Sequence, residues 1–433
     1  MNPPFHLDAV SIAFYLAYAF LLYAISLVVY RLYFHPLSQF PGRNLAAASK
    51  WYEFYFDVLK SQGGQYSEHV NHLHDRYGPI LRTNPDELHI RDSSYYEVLY
   101  SGKRDKWPPA AHMAGNKEET FAMVPHELHR KQRARNMPLM GKRAVLDSVP
   151  MLTYQLCKLK AIFVAAAQSG DALYLGVTFL AFTTDVVGRH FFQQSLGMQD
   201  DIVEARQWKT ATHNMATSTP FIKQFPWIVN SVLRIPSRIL KALAPADMAP
   251  FLGFHTGMQD RAKVFLDTVQ RESREPQGTE EQHPEVDGTE KRNRSATLFH
   301  SIYKSNAPPE ERSFTRLFHE GVNIIAAGSE TTARLLTRVM YELTANPNAF
   351  IKARREVNEA ADRTNKLVDG LTLVELERLP WLTAAIKESL RVAAIISSRL
   401  PLCPHEPLQY RMWTIPAMVS VCPSAVWSRE TLI

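Results

Sequence analysis

Residues 9–30 form a run of 22 amino acids without one charged side chain, and no other feature restricts what this chain can fold into as strongly. Coiled as a helix at ~1.5 Å per residue, the run is about 33 Å long, enough to cross a hydrocarbon core of ~30 Å. A cleaved signal peptide opens on positive charge and carries an apolar stretch of only ~7–15 residues. Here Asp8 precedes the run, and no Lys or Arg does. Tyr15, Tyr18, Tyr23 and Tyr30 suit the two membrane interfaces. Arg31, Arg43 and Lys50 follow the run, so the positive-inside rule puts the body of the protein in the cytosol. Residues 1–30 are read as a single-pass anchor. Residues 31–45, stiffened by His35-Pro36 and Phe40-Pro41-Gly42, are read as a linker that holds the body close to the membrane.

The remainder of the 433 residues is long enough for a large core, and no internal period marks a repeat architecture. The formal charge of +6 suits an acidic partner surface, an anionic membrane or a carboxylated ligand. Lys and Arg are dispersed without a recognition motif, so a nucleic-acid partner is not expected. Three cysteines, Cys157, Cys403 and Cys422, with no C-x-x-C pair, exclude a disulfide scaffold and a cysteine zinc site.

Helical periodicity dominates from about residue 125, over 147–168, 173–192 and 380–392 and more weakly over 258–271. A helix at 68–77 and a hairpin from Ile80-Leu81-Arg82-Thr83 to Leu88-His89-Ile90 precede it, and 94–100 reads as helical. The stretch 272–295 is charged and nearly devoid of apolar residues, the composition of a solvated connector. The longest helix covers 315–345 and stops at Asn346-Pro347; Leu317, Ile324, Ile325, Leu335, Leu336, Val339, Met340 and Leu343 make it central. Short strands return at 408–410 and 413–415. The fold class is mainly α with small β-sheets behind one N-terminal transmembrane helix.

Three constellations carry chemistry. Ala326-Ala327-Gly328-Ser329-Glu330-Thr331-Thr332 interrupts the central helix with poor helix formers. Gly328 admits a close neighbour, and a Thr hydroxyl there can bond back to the carbonyl four residues earlier. The segment reads either as a packing notch or as an acid beside a hydroxyl, a proton relay. Glu388 and Arg391 stand at i,i+3, the spacing of an ion pair. His129 and Arg133 share a helix face within a basic stretch that continues through Arg135, Lys142 and Arg143, either a solvated face or a carboxylate-binding one.

Taken in order behind the anchor, these motifs resemble the cytochrome P-450 superfamily. Ala327-Gly328-Ser329-Glu330-Thr331-Thr332 is similar to its oxygen-activation motif and Glu388-x-x-Arg391 to its helix-K pair. Arg31-Leu32-Tyr33-Phe34-His35-Pro36-Leu37, His74-Asp75-Arg76-Tyr77-Gly78-Pro79 and Ala181-Phe182-Thr183-Thr184-Asp185-Val186 resemble fungal secondary-metabolism members, of the trichodiene-oxygenase-like group. The resemblance implies a haem-thiolate monooxygenase that hydroxylates or epoxidises an apolar small molecule. It implies electrons from an NADPH-cytochrome reductase and a place in the endoplasmic reticulum membrane. Thr331 would steady dioxygen and Glu330 would help deliver protons. His129 and Arg133 would meet the haem propionates, Gly328 would be structural, and Glu388 and Arg391 would lock the core beneath the haem. His69, His72 and His74, a conceivable zinc cluster, become surface histidines of the family's first helix.

The sequence also departs from the family. No Phe-x-x-Gly-x-Arg-x-Cys-x-Gly loop follows Arg391, and Cys403 and Cys422 are flanked by proline where such a loop would offer donors to the sulfur. The resemblance puts both cysteines in or near the sheet that precedes the loop. The segment that supplies the third partner of the Glu388–Arg391 pair is not found, and Leu402 stands where a propionate-binding Arg is expected. Residues 46–425 are read as a partial catalytic domain, incomplete at the haem-ligand end, and 426–433 as a divergent tail. The expectation is an oxygenase inactive as written, without thiolate-ligated haem; the alternative is a non-catalytic membrane-anchored scaffold or relic.

Overall fold

The computed structural model describes residues 8–61, 63–113, 115, 117–227, 231, 239, 249–272, 297–305, 307–393 and 398–423. Apart from Glu272, the connector expected at 272–295 lies outside these residues, as does the tail at 426–433.

Helix α1 (Ala9–Val29) begins where the Asp8 carboxylate accepts the Ser11 N–H at 2.9 Å. It carries no buried residue and continues as a π-helical turn over Tyr30–Phe34, four residues beyond the uncharged run. It ends at His35, whose extended backbone is what a following proline enforces. The next stretch is a packed strap. Leu37 and Phe40 are buried in the core of the small sheets, and the Phe40 ring stacks on Trp413 with centroids 5.0 Å apart.

After α2 (Tyr66–Tyr77) come β1 (Ile80–Asn84) and β2 (Glu87–Ile90), the expected hairpin. They join β3 (Arg104–Lys106), β4 (Leu402–Pro404) and β7 (Ser420–Pro423) in a sheet of order β1-β2-β7-β4-β3, in which only β2 and β7 run parallel. Strands β5 (Leu408–Tyr410) and β6 (Trp413–Ile415) pair separately.

The helical body comprises α3 (His126–Met140), α4 (Val149–Ser169), α5 (Leu175–Phe192), α6 (Ile202–Gln224), α7 (Ala249–Glu272), α8 (Phe314–Ala345) and α9 (Pro380–Ala393). The Ser313 hydroxyl caps α8 on the Arg316 N–H at 3.2 Å, and Asn346-Pro347 stops it. Leu317, Phe318, Val322 and Ile325 of α8 enter one core with Phe179, Leu180 and Phe182 of α5 and Trp208 of α6, which is why α8 is central. Helix α4 is also long and apolar enough to cross a bilayer. Its Leu152 and Phe163 pack on this core, while Lys158 and Lys160 pair with Asp200 and Asp369, so it belongs to the body.

Candidate active site

The unusual segment of α8 divides its work between two faces. On one, a Cβ on Gly328 would stand 3.0 Å from Val187 Cγ2 of α5. The Thr183 hydroxyl of α5 shares its proton between the Phe179 carbonyl at 2.8 Å and the Ser329 carbonyl at 2.9 Å, and Ser329 Oγ donates to the Ile325 carbonyl at 2.6 Å. The glycine is therefore a packing notch at the α5–α8 contact. At 3.6 residues per turn, Glu320, Ala327, Thr331 and Arg334 share another stripe. Ala327 and Arg334 are exposed there and Thr331 is half-exposed. The Thr331 hydroxyl donates to the Ala327 carbonyl at 2.8 Å, the back-bond its sequence position predicts.

Glu330 and Thr331 are chain neighbours but bond to different partners. The Glu330 carboxylate accepts from Lys209 Nζ at 2.7 Å, Arg334 Nε at 3.0 Å and the Thr212 hydroxyl at 3.4 Å.

His129 and Arg133 lie on one face of α3, and Lys106 joins them. Burial first, then Lys106, Arg133 and His126, drop the half-buried His129 to about 4. Burial, with Arg133 adding to it, lowers Lys106 to about 8, and its ammonium donates to the Phe121 carbonyl at 2.5 Å. Arg133 has no ion-pair partner among the described residues. Lys106 sits opposite Leu402 in the β3–β4 ladder, so a cation stands beside the position where the expected Arg is replaced by Leu402.

Behind this cluster is a buried polar network that the sequence reading missed. Glu320 accepts the Thr120 N–H at 2.8 Å and Asn136 Nδ2 at 2.5 Å, and it pairs with Arg316 one turn earlier in α8. Arg316 also donates to the Thr120 hydroxyl at 2.9 Å. Glu320 raises the affinity of both His129 and Lys106 for protons, so network and cations are close. Glu119 is fully buried and is pushed up to about 8, first by burial and then by Glu320. Arg316 and Glu320 at i,i+4, flanking the apolar Leu317 and Phe318, were the available signal.

Glu388 and Arg391 form their pair on α9, at 2.7 and 2.5 Å through two nitrogens of the guanidinium, with the glutamate half exposed. The three histidines of α2 bond separately. His69 stacks on Phe56 and meets the Tyr52 hydroxyl at 2.8 Å, while His72 is exposed. His74 corrects the expectation of a surface histidine. It is buried, with Nδ1 2.7 Å from the Gly78 carbonyl and Nε2 2.7 Å from His89 Nδ1. Among the described residues, no three His, Cys, Asp or Glu side chains gather as a metal-binding group.

The open stripe, with the cations Arg133 and Lys106 and the His129 imidazole at its edge, fits a flat group that carries carboxylates. The two carboxy-terminal cysteines stand in sheet strands, not in a loop that offers backbone donors to a sulfur. Cys403 lies in β4 and Cys422 in β7, both buried, and burial pushes their thiols up to about 11 and about 12.

A family model described as Cytochrome P450 matches residues 48–430. A tryptophan 6-hydroxylase of Fusarium equiseti is 33% identical over 95% of this chain and 77% of its own length. An N-acetyltryptophan 6-hydroxylase of Emericella nidulans is 34% identical, with the same coverage of each chain. A conidiogenone synthase of Penicillium rubens is 31% identical over 92% of this chain and 76% of its own.

Proposed function

We propose, since this chain belongs to the cytochrome P450 family, that its site serves to insert one oxygen atom into a small organic molecule of fungal secondary metabolism, by hydroxylation or epoxidation. The names of the relatives support hydroxylation, because two of them act as 6-hydroxylases on tryptophan or its N-acetyl derivative. The observation that carries the reading is Thr331, a hydroxyl on the open stripe of the central helix with its proton committed to the Ala327 carbonyl.

Haem, when bound, supplies the iron chemistry that activates dioxygen. His129, Arg133 and Lys106 would hold its acidic edge. Gly328 and Ser329 fix the height of α8 against α5, which sets where the Thr331 hydroxyl stands. Glu330 passes a proton toward that hydroxyl only by releasing Lys209 or Arg334, so the transfer is tied to a rearrangement of those two cations. The Glu388–Arg391 pair braces α9, which packs on α8.

Members of the family normally draw electrons from a redox-partner reductase, and here we read an NADPH-cytochrome reductase. The exposed α1 supports a single-pass anchor in the endoplasmic reticulum membrane with the body in the cytosol. The test supplies the purified full chain with haem, reductase, NADPH and isotopically labelled dioxygen. One labelled oxygen atom per product is expected, and Thr331→Ala should lower product per NADPH consumed about tenfold or more. Unlabelled product overturns the reading.

A second reading, a non-catalytic membrane-anchored scaffold, is favoured by the burial of Cys403 and Cys422 within sheet strands. The reduced, carbon-monoxide-treated full chain decides between the two. A thiolate-type Soret band sinks the scaffold.

A further inference from the structure

A cavity of about 190 Å³ opens between α6, the loop before α2 and the far end of the open stripe, lined among others by Asp57, His213, Lys223, Arg334 and Arg399. Its walls are charged, which is unexpected for a chamber that receives a purely apolar molecule. Most of the charge is already matched. Glu53 takes Lys223 at 2.7 Å and Arg399 at 2.6 Å, and Arg399 also donates to Glu87 at 2.6 Å, so these four close on one another.

Two groups on the wall are left over. Asp57 accepts the Tyr66 N–H on Oδ1 at 2.8 Å, and its Oδ2 has no partner among the described residues. Lys223 and Arg399 are near enough to favour its charge, yet burial and Glu53 outweigh them and raise its pKa. Arg334 uses Nε on Glu330 at 3.0 Å, and its two terminal nitrogens have no partner among the described residues. Arg334 lies three residues beyond Thr331, about 4.5 Å along the same helix and on a neighbouring face.

We propose that this cavity binds the charged end of an amphiphilic substrate, with a primary ammonium group on Asp57 and a carboxylate on Arg334, as a free aromatic amino acid would present them. The volume suits a head group and is below the ~300–1,000 Å³ of a whole ligand pocket. The apolar remainder of the molecule then lies along the stripe toward Thr331. An ammonium can donate a charge-assisted hydrogen bond to the free Oδ2 of Asp57, whereas an N-acyl nitrogen carries no charge, so the site selects the free amine over its N-acylated form. This assignment rests on the reading above that the chain takes a small-molecule substrate.

The experiment measures binding of four probes to the full chain in detergent by calorimetry: L-tryptophan, N-acetyl-L-tryptophan, tryptamine and indole-3-propionate. L-Tryptophan is expected to bind at least about tenfold more tightly than its N-acetyl form. Asp57→Asn, which keeps the acceptor for Tyr66, should abolish that preference and weaken tryptamine. Arg334→Gln should weaken L-tryptophan and indole-3-propionate and leave tryptamine unchanged. Equal binding of the free and acetylated amino acids by the unmodified chain, which requires no variant to fold, overturns the proposal. So does a preference that survives Asp57→Asn, or no binding of any probe. Amine-selective binding without oxygenation supports the site while sinking the oxygenase reading. Oxygenation of an uncharged substrate with no amine preference does the reverse.

Discussion

The Thr183 hydroxyl reaches from α5 to the Ser329 carbonyl of α8 at 2.9 Å, one residue from the glycine that packs on Val187 of α5. The bond takes a carbonyl in the middle of a helix and gives it a second donor. Removing the hydroxyl with Thr183→Val should cost roughly 0.5–1.5 kcal/mol.

The same contact predicts a packing cycle. Gly328→Val adds volume against Val187 Cγ2, where a Cβ alone already stands at 3.0 Å. Overpacking of this kind costs about 1–3 kcal/mol. Combining it with Val187→Ala should recover part of the loss, and urea midpoints of the two single variants and the double variant measure the coupling. Additive losses would show that the two side chains do not meet.

Glu320 and Arg316 lie almost wholly inside the protein. Arg316→Met alone leaves the carboxylate facing only Thr120 and Asn136, and the expected loss is about 3–5 kcal/mol. The double variant Arg316→Met with Glu320→Leu should be markedly more stable than the single one. Thermal unfolding of both variants checks this.

His74 and His89 predict acid sensitivity. Burial lowers His74 to about 4, with Arg91 contributing, and holds His89 well below its ordinary 6.5, with His74 and Arg399 adding to burial. The unfolded chain then binds more protons than the folded one below pH 6.5, so stability falls as pH drops from 6.5 toward 4. Each such proton contributes a slope of ~1.4 kcal/mol per pH unit. Denaturant midpoints should decline over this window, and His74→Gln should make the decline shallower by about one proton.

Glu119 acts in the opposite direction. Its pKa rises from 4.5 to about 8, so the folded state holds a proton that the unfolded state has lost, and stability decreases as pH rises from 4.5 through 8. Glu119→Gln imitates the protonated acid. It should match the parent near pH 4.5 and exceed it by more than ~1 kcal/mol at pH 8.5. Parallel melts at the two pH values test the sign.

Much of this was open to sequence reasoning, because the helical periods, the hairpin before Pro85-Asp86 and the Pro-terminated central helix are local signals. So was the Thr331 back-bond, which depends on residues four apart. Groupings between distant segments were not legible. Nothing near Lys106 announces that it stands beside His129 and Arg133, because β3 reaches them only through a sheet completed near residue 404. The burial of His74 depends on His89, which only the folded hairpin brings against α2. Glu330 was read as a proton donor to Thr331, yet its partners come from α6 and the next turn of α8. Leu37 and Phe40 read as linker because strap and sheet meet only in three dimensions.

Strand β2 waits for β7. Leu88 finds its parallel neighbour in Val421, and at ~5–20 residues per second a ribosome takes roughly 15–70 s to make the chain between them. For that time an edge that the folded sheet covers stands open. The hydrophobic strap at Leu37 and Phe40, made first and lying over the same sheet, is placed to cover the hairpin while synthesis continues.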